Sequence, residues 1–165
     1  MNSIIAGIEQ LTEKIGKLAS YLCICLVMLI CADVLMRYLF DFTLIWVIEL
    51  EIYFFAFLFL MGTAYALQKD KHVRVDVFYQ NKSPKSKAWT NLIGTLFFLI
   101  PWCVIIIWVS YNYAWFSWQM NEKSPQPGGL PALYILKGFI TLAFIVLLLQ
   151  AVAELLKSIQ IIRKN

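Results

Sequence analysis

The chain has 165 residues, of which 61% are hydrophobic and 16% aromatic, and only 15% are charged. A soluble domain is about 45–50% apolar and about 25% charged, and a single core of this size cannot hide such an apolar excess beneath a polar surface. The water-soluble classes are excluded, and the net charge of +4 is to be read against a membrane rather than against nucleic acid.

The charges are clustered. Four stretches, about 18–40, 44–67, 91–116 and 133–156, hold six of them: Asp33, Arg37, Glu49, Glu51, Lys137 and Glu154. Each is long enough to cross about 30 Å of hydrocarbon as a helix, which takes about 20 residues. The expected fold class is therefore all-α: one integral membrane domain over 1–165, a four-helix bundle with an N-terminal amphipathic interfacial helix.

That helix is predicted over 3–17. Ile4, Ile8, Leu11, Ile15 and Leu18 recur at spacings of three and four, opposite Glu9, Glu13, Lys14 and Lys17. Such a segment either lies in the membrane interface or forms the helical start of the first span. With two acids and no small-residue cleavage site behind a short apolar core, it does not read as a cleaved signal peptide. The first span ends in Asp33-Val-Leu-Met-Arg37-Tyr-Leu-Phe40, and a link of about three residues forces an antiparallel hairpin with the second.

The loop 68–90 is the polar centre of the chain, with Lys69, Lys71, Arg74, Lys82, Lys85 and Lys87 against Asp70 and Asp76. The following helical pattern runs for about 31 residues, longer than the hydrocarbon is thick. Within it Pro101 removes a backbone donor and predicts a kink. The loop 117–131 contains Ser124-Pro-Gln-Pro-Gly-Gly-Leu-Pro131 and reads as a turn-rich connector. With four spans, both termini and the 68–90 loop share one side and carry 11 of the 14 basic residues. The positive-inside rule makes that side cytoplasmic and the loop 117–131 periplasmic.

Charge inside a membrane usually marks a partner, a cavity or a helix contact. Asp33 and Arg37 stand four apart on one helix face and can pair, fastening the first span to Glu49 or Glu51. Gln150 and Glu154 line up one turn apart, with Lys157 beyond, as polar glue between helices. The catalytic inventory is empty. The single histidine, His72, excludes bis-histidine haem ligation, no His, Cys and carboxylate cluster has metal spacing, and no phosphate loop or nucleophile elbow occurs. Cys23, Cys25, Cys31 and Cys103 read as buried packing residues. Neither an enzyme nor a cofactor is expected.

Several motifs occur together in order: Asp33-x-x-x-Arg37-Tyr38-x-Phe40, Trp46-x-x-Glu49-Leu50, Gly62-Thr-Ala-Tyr-Ala-Leu67, Asp70-x-His72-Val-Arg74-Val-Asp76 and Pro127-Gly-Gly-Leu-Pro131. In this arrangement the chain resembles the small, four-helix membrane subunit of tripartite ATP-independent periplasmic (TRAP) transporters. It departs from the family pattern in carrying its second acid at Glu51 rather than beside Glu49.

The resemblance implies a scaffold subunit in the bacterial inner membrane, multi-pass, with cytoplasmic termini. Its implied partners are the large multi-span permease subunit, a periplasmic substrate-binding protein and membrane lipids, in sodium-coupled uptake of an organic acid. Asp33, Arg37, Trp46, Glu49, Asp70, His72, Arg74 and Asp76 would then be polar anchors within the bundle or at the subunit contact. Asp41, Glu122 and Lys123 would meet the binding protein. Two readings compete with this one. The first is an autonomous homo-oligomeric exporter or proton-coupled carrier, and the second is a quinone-linked thiol oxidase that would need its cysteines.

Overall fold

The computed structural model describes residues 2–69 and 83–164. Its helices are α1 (Asn2–Phe40), α2 (Ile45–Gln68), α3 (Pro84–Gln119) and α4 (Leu133–Lys164). Each is long and apolar enough to cross a membrane, so the all-α membrane architecture expected from composition is the one observed. At 1.5 Å per residue α2 spans about 36 Å, close to the hydrocarbon thickness, whereas α1, α3 and α4 run to about 58, 54 and 48 Å. One end of the bundle carries both chain termini, tied by Gln160 Nε2 donating to Asn2 Oδ1 at 2.8 Å. The links 41–44 and 120–132 form the opposite, loop end.

Residues 3–17 are the first turns of α1, continuous with the first span and not a separate surface helix. The helix also buries a different face from the one its large apolar residues mark. Ile5, Thr12, Ala19, Leu26 and Asp33, each seven residues from the next, are buried together with Gly16. Ile4, Leu11 and Leu18 stay exposed. A seven-residue seam is the signature of shallow left-handed helix packing. Lipid is as apolar as leucine, so in a membrane small residues mark the packed face because they let backbones approach. Gly16 shows how close: a Cβ there would lie 2.5 Å from the Tyr65 ring of α2.

The left-handed backbone of Asp41 (φ 50°) turns the chain out of α1. Ser83 caps α3, its Oγ accepting from Ser86 N at 3.2 Å, and Pro84 fills the first helical position, where the missing N–H costs nothing. The irregularity expected at Pro101 takes the form of a π turn over Thr95–Leu99, immediately upstream. Pro101 has no N–H to donate to the Phe97 carbonyl, which lies inside that π turn.

α4 packs against all three other helices, while the substantial packing of α3 is on α4. Accordingly α4 lines its inward faces with small or polar side chains: Ala143, Ala151, Ala153, Thr141, Gln150 and Ser158 are all buried. The apolar core joins Ala64 and Leu67 of α2, Cys103 of α3, and Leu147 and Ala151 of α4.

Candidate functional site

Among the described residues, groups of polar side chains interrupt the apolar bundle at several levels. At the terminal end, Thr12 Oγ1 donates to Gln150 Oε1 at 3.1 Å, and Gln150, wholly buried, donates through Nε2 to Glu154 Oε1 at 3.2 Å. Lys157 bridges Glu154 at 2.8 Å and Glu9 of α1. Gln68 of α2 donates to the Glu9 carbonyl at 3.1 Å. The ladder foreseen on α4 thus reaches both α1 and α2. Two turns in from the loop end, Thr141 Oγ1 donates to Ser110 Oγ at 3.0 Å, joining α4 to α3.

Near the loop end, Arg37 donates to Asp33, as their spacing predicts. Asp33 is buried and the Arg37 side chain is half exposed. Glu51 is the second acid within electrostatic reach of both. Its Oε1 and the Tyr53 hydroxyl are enclosed without hydrogen-bond partners.

Glu49 does not join that pair. Its Oε2 accepts from the Leu130 N–H at 2.6 Å, and its Oε1 accepts from the Ser124 hydroxyl. Both donors belong to the loop between α3 and α4. The loop also closes on itself, with Ser124 N–H donating to Leu130 O, Gly129 N–H to Gln126 O and Gln126 N–H to Ser124 Oγ, each at 3.1 Å. Gly129 has to lack a side chain, because a Cβ would sit 2.7 Å from Glu49 Oε1 and 2.4 Å from Ser124 Oγ. Gly128 supplies the left-handed turn (φ 82°) before it.

The start of the same loop is held by Glu122, which accepts from Lys137 Nζ and from the Ser117 hydroxyl. Lys137 is buried, with its ammonium 3.8 Å from the centroid of the Tyr113 ring. The Lys137 ammonium, helped by the Ser117 hydroxyl, holds the Glu122 carboxyl below the usual glutamate range. Of the residues singled out for binding-protein contact, Glu122 is therefore turned toward its own helices, while Asp41 and Lys123 are exposed. Trp46 lies exposed at the start of α2. Asp70, His72, Arg74 and Asp76 lie outside the described residues.

Sequence reasoning missed Thr12, Ser117, Ser124 and Gly129. Thr12, Ser124 and Gly129 are small residues that meet a side chain from a distant helix, and Ser117 meets Glu122 in the loop that follows it. Among the described residues no three His, Cys, Asp or Glu side chains converge as a metal ion would require. Cys103 is buried in the core, and Cys23, Cys25 and Cys31 face outward on α1. What these groups do is join helix to helix and loop to helix. The outer faces of α1 and α3 meanwhile expose a broad apolar surface, including Tyr21, Met28, Phe98 and Trp108.

Residues 26–161 match the family model described as tripartite ATP-independent periplasmic transporters, DctQ component. A curated relative, the C4-dicarboxylate TRAP transporter small permease protein DctQ of Vibrio cholerae serotype O1 (strain ATCC 39315 / El Tor Inaba N16961), is 25% identical over 138 residues. The alignment takes in 79% of this chain and 59% of that relative, so the chain spans about three fifths of the relative's length. The family match covers most of the chain, from within the first span to near the end of the fourth, and with it the chain belongs to the DctQ component family of the tripartite ATP-independent periplasmic transporters, a family of transporter subunits and not of enzymes.

Proposed function

We propose that the chain is the small scaffold subunit of a TRAP transporter. It pairs with a large permease subunit and supports binding-protein-dependent, sodium-coupled uptake of an organic acid, for which the relative's C4-dicarboxylate is the nearest chemical guide. The family match over residues 26–161 carries this reading. The internal engagement of Asp33, Glu49, Glu122 and Glu154 supports it, since substrate and coupling-ion contacts then fall to the larger subunit. In this arrangement the terminal end is cytoplasmic and the loop end periplasmic, following the 11 basic residues on the terminal side.

The deciding experiment is co-expression with the multi-span permease encoded beside it, followed by purification in detergent and reconstitution. A stable two-subunit complex whose uptake needs both a soluble binding protein and a sodium gradient is the expected result. Transport by this chain alone in liposomes would instead establish an autonomous carrier. Replacing Arg37, half exposed beside the buried Asp33, by Ala is expected to lower the yield of the complex at least about threefold, as loss of a charge-assisted contact does. Its substrate preference should not change, and an altered preference would contradict a scaffold role.

A further inference from the structure

We propose that Glu49 is the positioning residue of the loop end. Its carboxylate latches the 124–130 segment to α2, so that the Pro125–Gly128 tip is held in one shape for docking a soluble periplasmic partner. The docking half rests on the reading of the chain as part of a binding-protein-dependent transporter.

The latch is built from both sides. Both Glu49 oxygens are taken by loop donors 75 and 81 residues away in sequence. The Ser124 hydroxyl that donates to Glu49 also accepts from the Gln126 N–H, so the carboxylate reaches the tip through one intermediary. On the loop side, Gly129 leaves the space that the carboxylate enters. None of this is needed to connect α3 with α4, which already pack along their lengths and are joined at the loop's start by Glu122 and Lys137. What the latch adds is a fixed base beneath an exposed tip: Pro125, Gln126, Pro127 and Gly128 all face outward.

Two prolines and a pinned base remove most of the freedom that such a tip would otherwise lose on binding, which is how preorganisation raises affinity. The chemistry around the tip defines the partner surface as polar. The exposed Gln126 shares its link with the exposed Asn121 and Lys123, and the exposed Asp41 lies in the other link at this end.

The test uses the assembled two-subunit complex in nanodiscs and the soluble binding protein encoded with it, labelled with a fluorophore. Glu49→Ala and Gly129→Ala attack the latch from opposite sides. Each is expected to weaken docking about five- to tenfold per assembled complex, over and above any fall in yield or thermal midpoint from the lost loop hydrogen bonds. Together they should do little more than either alone, since both remove one interaction. Glu49→Gln is expected to fall between, because its amide oxygen still accepts from Leu130 N–H while its amide nitrogen can donate to Ser124. A spin label at Gln126→Cys should become mobile in the Glu49→Ala and Gly129→Ala backgrounds.

An immobile label in those backgrounds overturns the latch. A freed label with unchanged docking overturns the positioning role, as does weaker docking that merely tracks loss of assembled complex. If the native complex binds no soluble protein, the transporter reading fails and the docking half falls with it, while the label still judges the latch.

Discussion

Single residues set how closely these helices approach. At Gly16 even a methyl group would press into the Tyr65 ring, so Gly16→Val is expected to destabilise the bundle by about 1–3 kcal/mol, the usual cost of overpacking. Equilibrium unfolding in mixed detergent micelles measures it, and adding Tyr65→Ala should recover part of the loss. Thr12 and Gln150 illustrate the opposite case, a polar pair enclosed among apolar helices. Truncating either to Ala should cost about 1–2 kcal/mol, with the double variant well short of the sum. Glu122 makes its residue-scale contribution visible through pH. Its carboxyl is held below the ordinary value by Lys137 and Ser117, so the folded state binds that proton less readily than the unfolded one. Its tie to α4 is therefore fully present above about pH 4.3, the ordinary glutamate value, and is lost as pH falls through the lower folded value. Trp118, one residue from Ser117 and stacked edge-on against Tyr134 at 4.7 Å, reports the release: its fluorescence should hold steady from pH 7 to about 5 and change only below about 4.3.

At the scale of elements, α3 carries its own diagnostic. If Pro101 causes the π turn over Thr95–Leu99, then Pro101→Ala restores a donor for the Phe97 carbonyl. Amide exchange across 95–101 should then slow markedly while unfolding energy shifts by no more than about 1 kcal/mol. A π turn that persists with unchanged exchange would place its cause in the packing against α4. The position of this irregularity was legible because a missing donor acts within one turn of itself. The four-helix architecture was legible for a comparable reason, since hydrocarbon thickness converts directly into a length of apolar sequence. The packed face of α1 was not read from the sequence, since the usual mark of burial is bulk. That holds in water, but here Ile4, Leu11 and Leu18 face outward, while Thr12, Gly16 and Ala19 pack. The partner of Glu49 had no local signal at all. A Pro-Gly-Gly-Leu-Pro run announces a turn, but not which carboxylate, 75 or more residues earlier, will accept from it.

The whole molecule is organised around its last helix. α4 touches each of the others, and α3 has little else to pack against. This leaves the outer faces of α1 and α3 as wide apolar flanks. There is also a consequence for biogenesis. Synthesis runs from the N-terminus, so the α1–α2 hairpin can assemble as soon as it leaves the translocon, whereas α3 must wait in the bilayer without a neighbour. The helix that completes the bundle is also the one bearing Lys137, Gln150 and Glu154, side chains that enter hydrocarbon reluctantly on their own. Thr12 and Glu9 are already in place to receive that helix and its end at Lys157, and Tyr113 and Glu122 then join its Lys137. The α1–α2 hairpin thus acts as a waiting template for the fourth helix, which brings α3 in with it, and a nascent chain stopped before Leu133 should be a substrate for membrane quality control rather than a partly working subunit.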